Sequence, residues 1–476
     1  MKKILFGVAT SLLFVQCAYA DDLLAVYQQA LDNDPVIQAA KATRDATMEG
    51  VPQSVAQLLP NIGATAQSSH IRTSPPSAAA TAAFGGNDSD FYQHDYTLTL
   101  TQPIFNFQSW MQLRASSDQS KQAAATYNAA LQDLITRVST AYFNVLNAQD
   151  NLEFTTAQET AIESQLKQIK ERYQVGLDTM TDVYQAQADY DSLVAARIAA
   201  QNTVLNNMEA LRMITGRLYS TLTPLSQNIP LITPDPAKPE DWIAAGEKNN
   251  WTLLSARYAS LAAKENIRVN YAGHFPTVNA VGSYQSGNDV GVAPSTQTQW
   301  ESQVGVQVSL PLFQGGSVIS KTRQAQDQYV AASDQMESAR RQVILQTEQA
   351  FNNVMAGISK IDADHIAVTS SVSALDSTRA GFKAGTKTLL DVLTAEQNVY
   401  QAKTNLASDQ YSYINNTLLL KQAAGSLSGA DVVAVNHWLG EKAVMEPEES
   451  SLKKNNTHHR HPVKKHQKKH PKKQPL

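Results

Sequence analysis

The chain builds the same turn twice. "QVGLDTMTDV" at Gln174–Val183 is answered by "KAGTKTLLDV" at Lys383–Val392, with Gly385 and Asp391 standing 209 residues after Gly176 and Asp182. The match extends far beyond the turns. "LTQPIF" at Leu100–Phe105 pairs with "VSLPLF" at Val308–Phe313, so Pro103 answers Pro311 and Phe105 answers Phe313. Phe143-Asn144 pairs with Phe351-Asn352, Gly216 with Gly425, and "LLPNIGA" around Pro60 with "GHFPTVNA" around Pro276. The repeated unit is about 210 residues, far longer than a solenoid repeat. Any fold for this chain must be assembled from two similar halves, read here as residues 21–230 and 231–439.

Within each half the hydrophobic period changes. Residues 21–57 read as helical, with Leu24, Tyr27, Ala30 and Leu31 on one face. After Pro60, Ile62, Ala64 and Ala66 alternate with Gly63 and Thr65, and Tyr96, Leu98 and Leu100 alternate with Thr97, Thr99 and Thr101. In the second half Val278, Ala280 and Tyr284 alternate with small or polar residues, as do Val304, Val306, Val308 and Leu310 with Gly305, Gln307 and Ser309. Period two predicts two strands per half, each with one apolar and one polar face. Their length of about 9 to 11 residues suits a tilted strand crossing a bilayer. Pro60, Pro103, Pro276 and Pro311 mark strand–helix junctions, where a missing N–H denies a ladder bond; Phe105 and Phe313 beside them read as core packing. Trp300 and Trp110 flank strands, and for Trp300 an interface anchor and simple loop packing stay open.

The rest of each half is helix. No proline occurs from Ile104 to Thr223 or from Leu312 to Glu446, and good helix formers fill both runs. Ile162, Leu166, Ile169 and Tyr173 form one seam; Val183, Ala186, Tyr190 and Leu193 form another. Val392, Ala395, Val399 and Ala402 repeat the second seam in the other half, with spacings of the coiled-coil kind. Gly176 and Gly385 lie between seams and turn each run back on itself, since glycine readily adopts the left-handed conformation that ends a helix. Thr181 or Thr179 caps the returning helix, with Thr388 in the second half. A helix from residue 107 to 173 would be roughly 100 Å long at ~1.5 Å per residue. Nothing in a single chain covers such seams completely.

Composition narrows the compartment. Lys2 and Lys3, a short apolar stretch and Ala18-Tyr19-Ala20 read as a signal peptide over residues 1–20. The one cysteine, Cys17, lies within that leader. No later stretch is long and apolar enough for a membrane-spanning helix. From Asp21 to Ser450 there are 28 Lys+Arg against 43 Asp+Glu, an acidic body that gives nucleic-acid phosphates no basic face. Residues 440–476 form a C-terminal extension whose end, "THHRHPVKKHQKKHPKKQP", is low in complexity and reads as disordered. His458, His459 and His461 there offer weak transition-metal ligation, and the lysines could touch anionic lipid or cell-wall carboxylates, beside the plain reading of a solvated tail. No enzyme signature stands out: His70, His94, His274, His365 and His437 are dispersed, and no His-Glu-x-x-His occurs. No cofactor is expected.

Four strands with one apolar face cannot close a barrel, and in lipid every edge needs a partner. Several copies joined edge to edge solve this and pack the long hairpins into a helical tube below. An oligomeric, membrane-anchored channel answers both problems; a soluble coiled-coil protein with a small β-sandwich is the alternative. Asp182 and Asp391 would then form rings of carboxylates in a narrow mouth, attracting cations. Both are equally first-turn residues favoured by the helix dipole, and the two roles are compatible.

The run of motifs from "LLAVYQQALDNDP" through "LTQPIFNFQSW", "TAYFNVLNAQDNL", "RYQVGLDTMTDV" and "SLPLFQGGSV" to "GTKTLLDVLTAEQNVYQAK" resembles the TolC family of outer-membrane efflux proteins over nearly the whole chain after the leader. The resemblance implies a mixed α and β membrane protein: a homotrimer with a twelve-stranded outer-membrane β-barrel, four strands per chain, continued by a long periplasmic α-helical barrel with an equatorial collar. It implies docking to a periplasmic adaptor and an inner-membrane transporter of the RND, MFS or ABC kind. The implied function is a passive exit duct for drugs, other toxic compounds or secreted protein. An outlet dedicated to type I protein secretion, or a structural spacer or adhesin, are the rival readings. The resemblance also implies a periplasmic gate at Thr181, Asp182, Phe382 and Lys387, and a constriction ring at Asp391 and Thr394. Phe382 and Lys387 stand where the family has tyrosine and arginine, and Thr394 where it has a second aspartate, so a weaker gate and a less acidic ring are expected.

Overall fold

The computed structural model describes residues 20–73, 89–226, 229–287 and 299–440. Nearly all of the expected leader, most of both strand-connecting loops and the His/Lys-rich tail, with His458, His459 and His461, lie outside the described residues.

Residues 21–57 form three short helices rather than one: α1 (Leu23–Asn33), α2 (Pro35–Met48) and α3 (Gly50–Ala56). Asp34 causes the first break. It ends α1 in an extended conformation and its carboxylate accepts from the Val36 N–H, with Pro35 opening α2 where no N–H is needed. The buried stripe of α1 is Leu23, Val26 and Ala30, with Leu24, Tyr27 and Leu31 packed along its border.

The strands are β1 (Asn61–Thr73), β2 (Ser89–Asn106), β3 (Thr277–Gly287) and β4 (Gln299–Ser309), antiparallel in the order β1-β2-β3-β4. Register puts the alternation of all four in phase. Ile62 faces Leu100, Leu98 faces Tyr284, Leu100 faces Gly282, and Gly282 faces Val304. Directly opposed residues share a face, so Ile62, Leu98, Leu100, Tyr284, Val304, Val306 and Val308 form one exposed apolar surface. Thr97, Thr99, Thr101, Ser283, Gln303 and Gln307 lie on the other.

Pro60 and Pro276 immediately precede β1 and β3, and Pro311 follows β4, as expected of junctions. Pro103 does not: β2 runs 18 residues, through Pro103, and shifts register between Pro103 and Phe105 before entering helix directly. A bulge lets a strand carry a residue that cannot donate to the ladder. The core role expected of Phe105 and Phe313 is not met within the chain, where they are 40% and 88% exposed.

Two long helical hairpins follow the strands. Helices α4 (Phe107–Gln174) and α5 (Met180–Thr215) form the first; α8 (Ser317–Lys383) and α9 (Leu389–Ala423) form the second. Between them lie α6 (Pro239–Asn249) and α7 (Trp251–Tyr271), and α10 (Gly429–Asn436) comes last. The main core gathers part-way along the hairpins. There Leu134, Val138, Tyr142, Phe143 and Leu146 of α4 meet Leu211 of α5, Phe351 and Val354 of α8, Ile414 and Leu418 of α9, together with Leu23 of α1 and Val435 of α10. Tyrosines fasten the connecting segments to this belt: Tyr142 donates to the Thr223 carbonyl at 2.7 Å, and Tyr413 accepts from the Ile232 N–H at 2.8 Å. Asp34, 1% exposed, pairs with Arg137 of α4 at 2.7 Å and holds the α1–α2 elbow against the long helix.

Candidate functional site

The two hairpin tips are built by one local plan. Gly176 and Gly385 have φ of +79° and +75°, the left-handed region that a side chain strains. This conformation turns the next amides back onto the helix end: Leu177 donates to the Arg172 carbonyl, and Thr386 to that of Gly381, each at 2.9 Å. The returning helix then starts on a capping box. Thr179, not Thr181, is the first N-cap, and Thr388 is its equivalent. The Asp182 N–H donates to Thr179 Oγ1 at 3.3 Å, while Thr179 N and Oγ1 donate to Asp182 Oδ2 at 3.0 and 2.6 Å. Asp391 and Thr388 repeat the arrangement at 3.2, 2.9 and 2.9 Å. The repeated glycine and aspartate are thus the minimal parts of a closed helical hairpin turn.

The caps also fix charge. Hydrogen bonds from the Thr179 hydroxyl and amide hold the Asp182 carboxyl below its ordinary value. Asp391 is lowered by the Thr388 amide and hydroxyl and, more weakly, by the Lys387 charge. Donors to a carboxylate favour its ionised form, so both tips carry a fixed negative charge at neutral and mildly acidic pH. Thr394 lies one turn beyond Asp391 on the same helix and is exposed.

The tips differ where they are tied. In the first, Arg172 grips Asp178 with both arms of its guanidinium, Nε to Oδ2 at 2.7 Å and Nη2 to Oδ1 at 3.0 Å. The same guanidinium lies 5.4 Å from the centre of the Phe382 ring on α8, joining the two hairpins. The repeat places Gly381 where Arg172 stands and Lys387 where Asp178 stands. There Lys387 lies over Gly381 so closely that a Cβ at Gly381 would meet Lys387 Cγ at 2.8 Å. Among the ion pairs of the described residues, none joins Asp182 to Lys387.

Phe382 is the hub of the tip. It packs against an apolar cluster built by Ile162, Leu166 and Ile169 of α4, Val183 and Ala186 of α5, and Leu389 and Leu393 of α9. It also packs against a second cluster formed by Leu375, Val392 and Val399. Higher on the second hairpin, Arg379 pairs with Glu396, 1% exposed, at 2.6 Å. Beyond this core, Val175, Leu177, Tyr184 and Leu390 are exposed apolar side chains at the tips. Arg172 and Asp178 were not singled out by the sequence, although their replacement by Gly381 and Lys387 in the second half was the visible signal.

Among the described residues no group of three or more His, Cys, Asp or Glu side chains could hold a metal ion, and no helix is long and apolar enough to cross a membrane.

Comparison with known proteins agrees with this construction. The outer membrane efflux protein family matches the chain twice, over residues 26–217 and 242–426. Outer membrane protein TolC of Vibrio cholerae is 37% identical over 444 residues, covering 92% of this chain and 99% of that protein. TolC of Escherichia coli is 38% identical over 465 residues, covering 94% and 91%. Among solved structures, the outer membrane protein VceC of Vibrio cholerae superposes with a TM-score of 0.71 at 20% identity, covering 85% of this chain and 96% of that one. The chain belongs to the outer membrane efflux protein family, and it is an outer-membrane channel of an efflux or secretion system rather than an enzyme.

Proposed function

We propose that three copies of the chain close one duct, with four strands from each in a twelve-stranded barrel and the long hairpins forming the periplasmic tube. One observation carries this reading. The sheet leaves β1 and β4 as open edges on either side of a continuous exposed apolar face, and in hydrocarbon an unpaired edge is not tolerated. Edge-to-edge pairing of copies satisfies the ladders, sets Thr97, Thr99 and Gln303 toward a wet lumen, and turns Val304 and Leu98 to lipid. The apolar belt that α1 and α10 form against the long hairpins supports a collar at the equator. The two family matches support division of the chain into repeats over 21–230 and 231–439.

The duct is passive and takes cargo from an inner-membrane RND, MFS or ABC transporter through an adaptor that meets the exposed tips. Thr181, Asp182, Phe382 and Lys387 form the gate, and Asp391 with Thr394 the constriction, with one carboxylate per chain at that level. Conductance in a planar bilayer tests the reading. A small cation-selective current that grows when tip contacts are cut supports a closed, gated duct. Cysteines placed on the β1 and β4 edges, in a chain with no cysteine after Cys17, should cross-link to a trimer. Failure to cross-link in membranes would reject closure by copies.

A further inference from the structure

The second hairpin holds an acidic contact that the duct reading does not use. Asp364 of α8 and Asp409 of α9 face one another across the hairpin, within hydrogen-bonding reach. Lys360 Nζ donates to Asp409 Oδ1 at 2.8 Å. The second oxygen of each carboxyl, Oδ2 of Asp364 and Oδ2 of Asp409, is buried and receives no hydrogen bond from any donor group. Two carboxylates so placed lack a donor and repel one another. A single proton between them repairs both faults at once, as it does wherever two carboxyl groups share a site.

We infer that Asp364 and Asp409 form a proton-operated clasp that fastens α8 to α9 in acid and slackens at neutral pH. Burial first, and the Asp409 carboxyl second, raise the Asp364 carboxyl to about 6, while Lys360 and His365 oppose the rise. Those are the charged groups acting on Asp364; Asp150 and Glu153 of α4 act instead on Tyr411, two residues beyond Asp409. The sign follows from which state holds the proton. The closed hairpin binds it more tightly than an opened one, whose carboxyl has its ordinary affinity. Closure is therefore favoured as pH falls through about 6 toward about 4 and loses that support as pH rises.

The device belongs to one hairpin only. The first half carries Thr155 or Thr156 opposite Asp364 in the repeat, depending on register, and Ala200 opposite Asp409. The two hairpins of a chain thus answer acid differently, and α8–α9 alone gains a fastening. The clasp needs only the hairpin of one chain and stands or falls apart from the trimer.

Hydrogen exchange of the full-length protein in detergent micelles, followed by mass spectrometry at about pH 5 and about pH 7.5 with the intrinsic rate corrected, reads the clasp directly. Peptides covering 358–368 and 404–412 should be better protected in acid, by up to about tenfold per pH unit for one linked proton. Peptides around 151–160 and 196–204 in the first hairpin should not change. Asp364→Asn, whose amide supplies a donor to the Asp409 carboxylate at every pH, and Asp364→Thr, which takes the residue of the other repeat, should each abolish the response. His365→Gln should retain it. Equal protection at both pH values in the native protein would overturn the clasp. So would a full response in both Asp364 variants, or its loss in His365→Gln, which would make the imidazole the sensor.

Discussion

The Arg172 guanidinium carbon lies 5.4 Å from the centre of the Phe382 ring and joins hairpins whose tips are more than two hundred residues apart in sequence. Arg172 also holds Asp178 with two hydrogen bonds, so one side chain closes its own turn and reaches the other hairpin. Its side chain is 40% exposed, and a solvated contact of this kind contributes about 1 kcal/mol or less. Arg172→Ala should therefore leave the melting temperature nearly unchanged while raising single-channel conductance in a planar bilayer. An unchanged current would show that this tie does not restrain the tip.

Phe382 fills the space between two apolar clusters without offering a hydroxyl. Phe382→Tyr adds a donor at the edge of that space and should lower the conductance of the resting channel. Unchanged conductance and drug tolerance would remove Phe382 as a reason for a weaker gate.

Asp391 is both a cap and a proposed ring charge, and one substitution separates the roles. Asn keeps an oxygen that accepts from Thr388 but removes the charge. Asp391→Asn should fold normally and lose much of its preference for cations, with weaker block by trivalent cations. Reversal-potential measurements in a salt gradient decide it; unaltered selectivity would reject the ring.

The Thr179 cap should hold its tip over a wide pH range. The Asp182 carboxyl is lowered by its bonds to Thr179, so its support is present above the ordinary carboxylate value and is lost only as pH falls through the lowered one. Thr179→Ala should cost about 1 kcal/mol of local helix stability. Hydrogen exchange near Gly176 should quicken at neutral pH, whereas that near Gly385 should not.

The phase of the strands makes a test of which face meets lipid. Val304 is 90% exposed, with Leu98 and Val306 also exposed on the same apolar face, and Gln303 lies on the other. Val304→Lys should cost ~2–4 kcal/mol at the bilayer midplane and reduce insertion, while Gln303→Lys should insert normally. The yield of folded protein in outer-membrane fractions distinguishes the two. Equal yields would move the apolar face away from lipid.

Sequence alone determined the parts that depend on near neighbours. The glycine turns, the threonine–aspartate caps and the apolar side of each strand follow from φ restrictions, short-range hydrogen bonds and a fixed side-chain period. It could not choose between Thr179 and Thr181, because both stand within two residues of the helix start and only the chain path shows which hydroxyl meets the Asp182 amide. It gave Phe105 and Phe313 a core role that the single chain does not supply, since apolar character does not say which surface a side chain meets. It also passed over Arg172 with Phe382, Asp364 with Asp409, and Tyr411, which donates to Asp150 at 2.6 Å across 261 residues. Those contacts have no period and no local signature. They exist because the core at the belt and the cluster at the tips fix the hairpins side by side, and that packing was decided only in the tertiary structure.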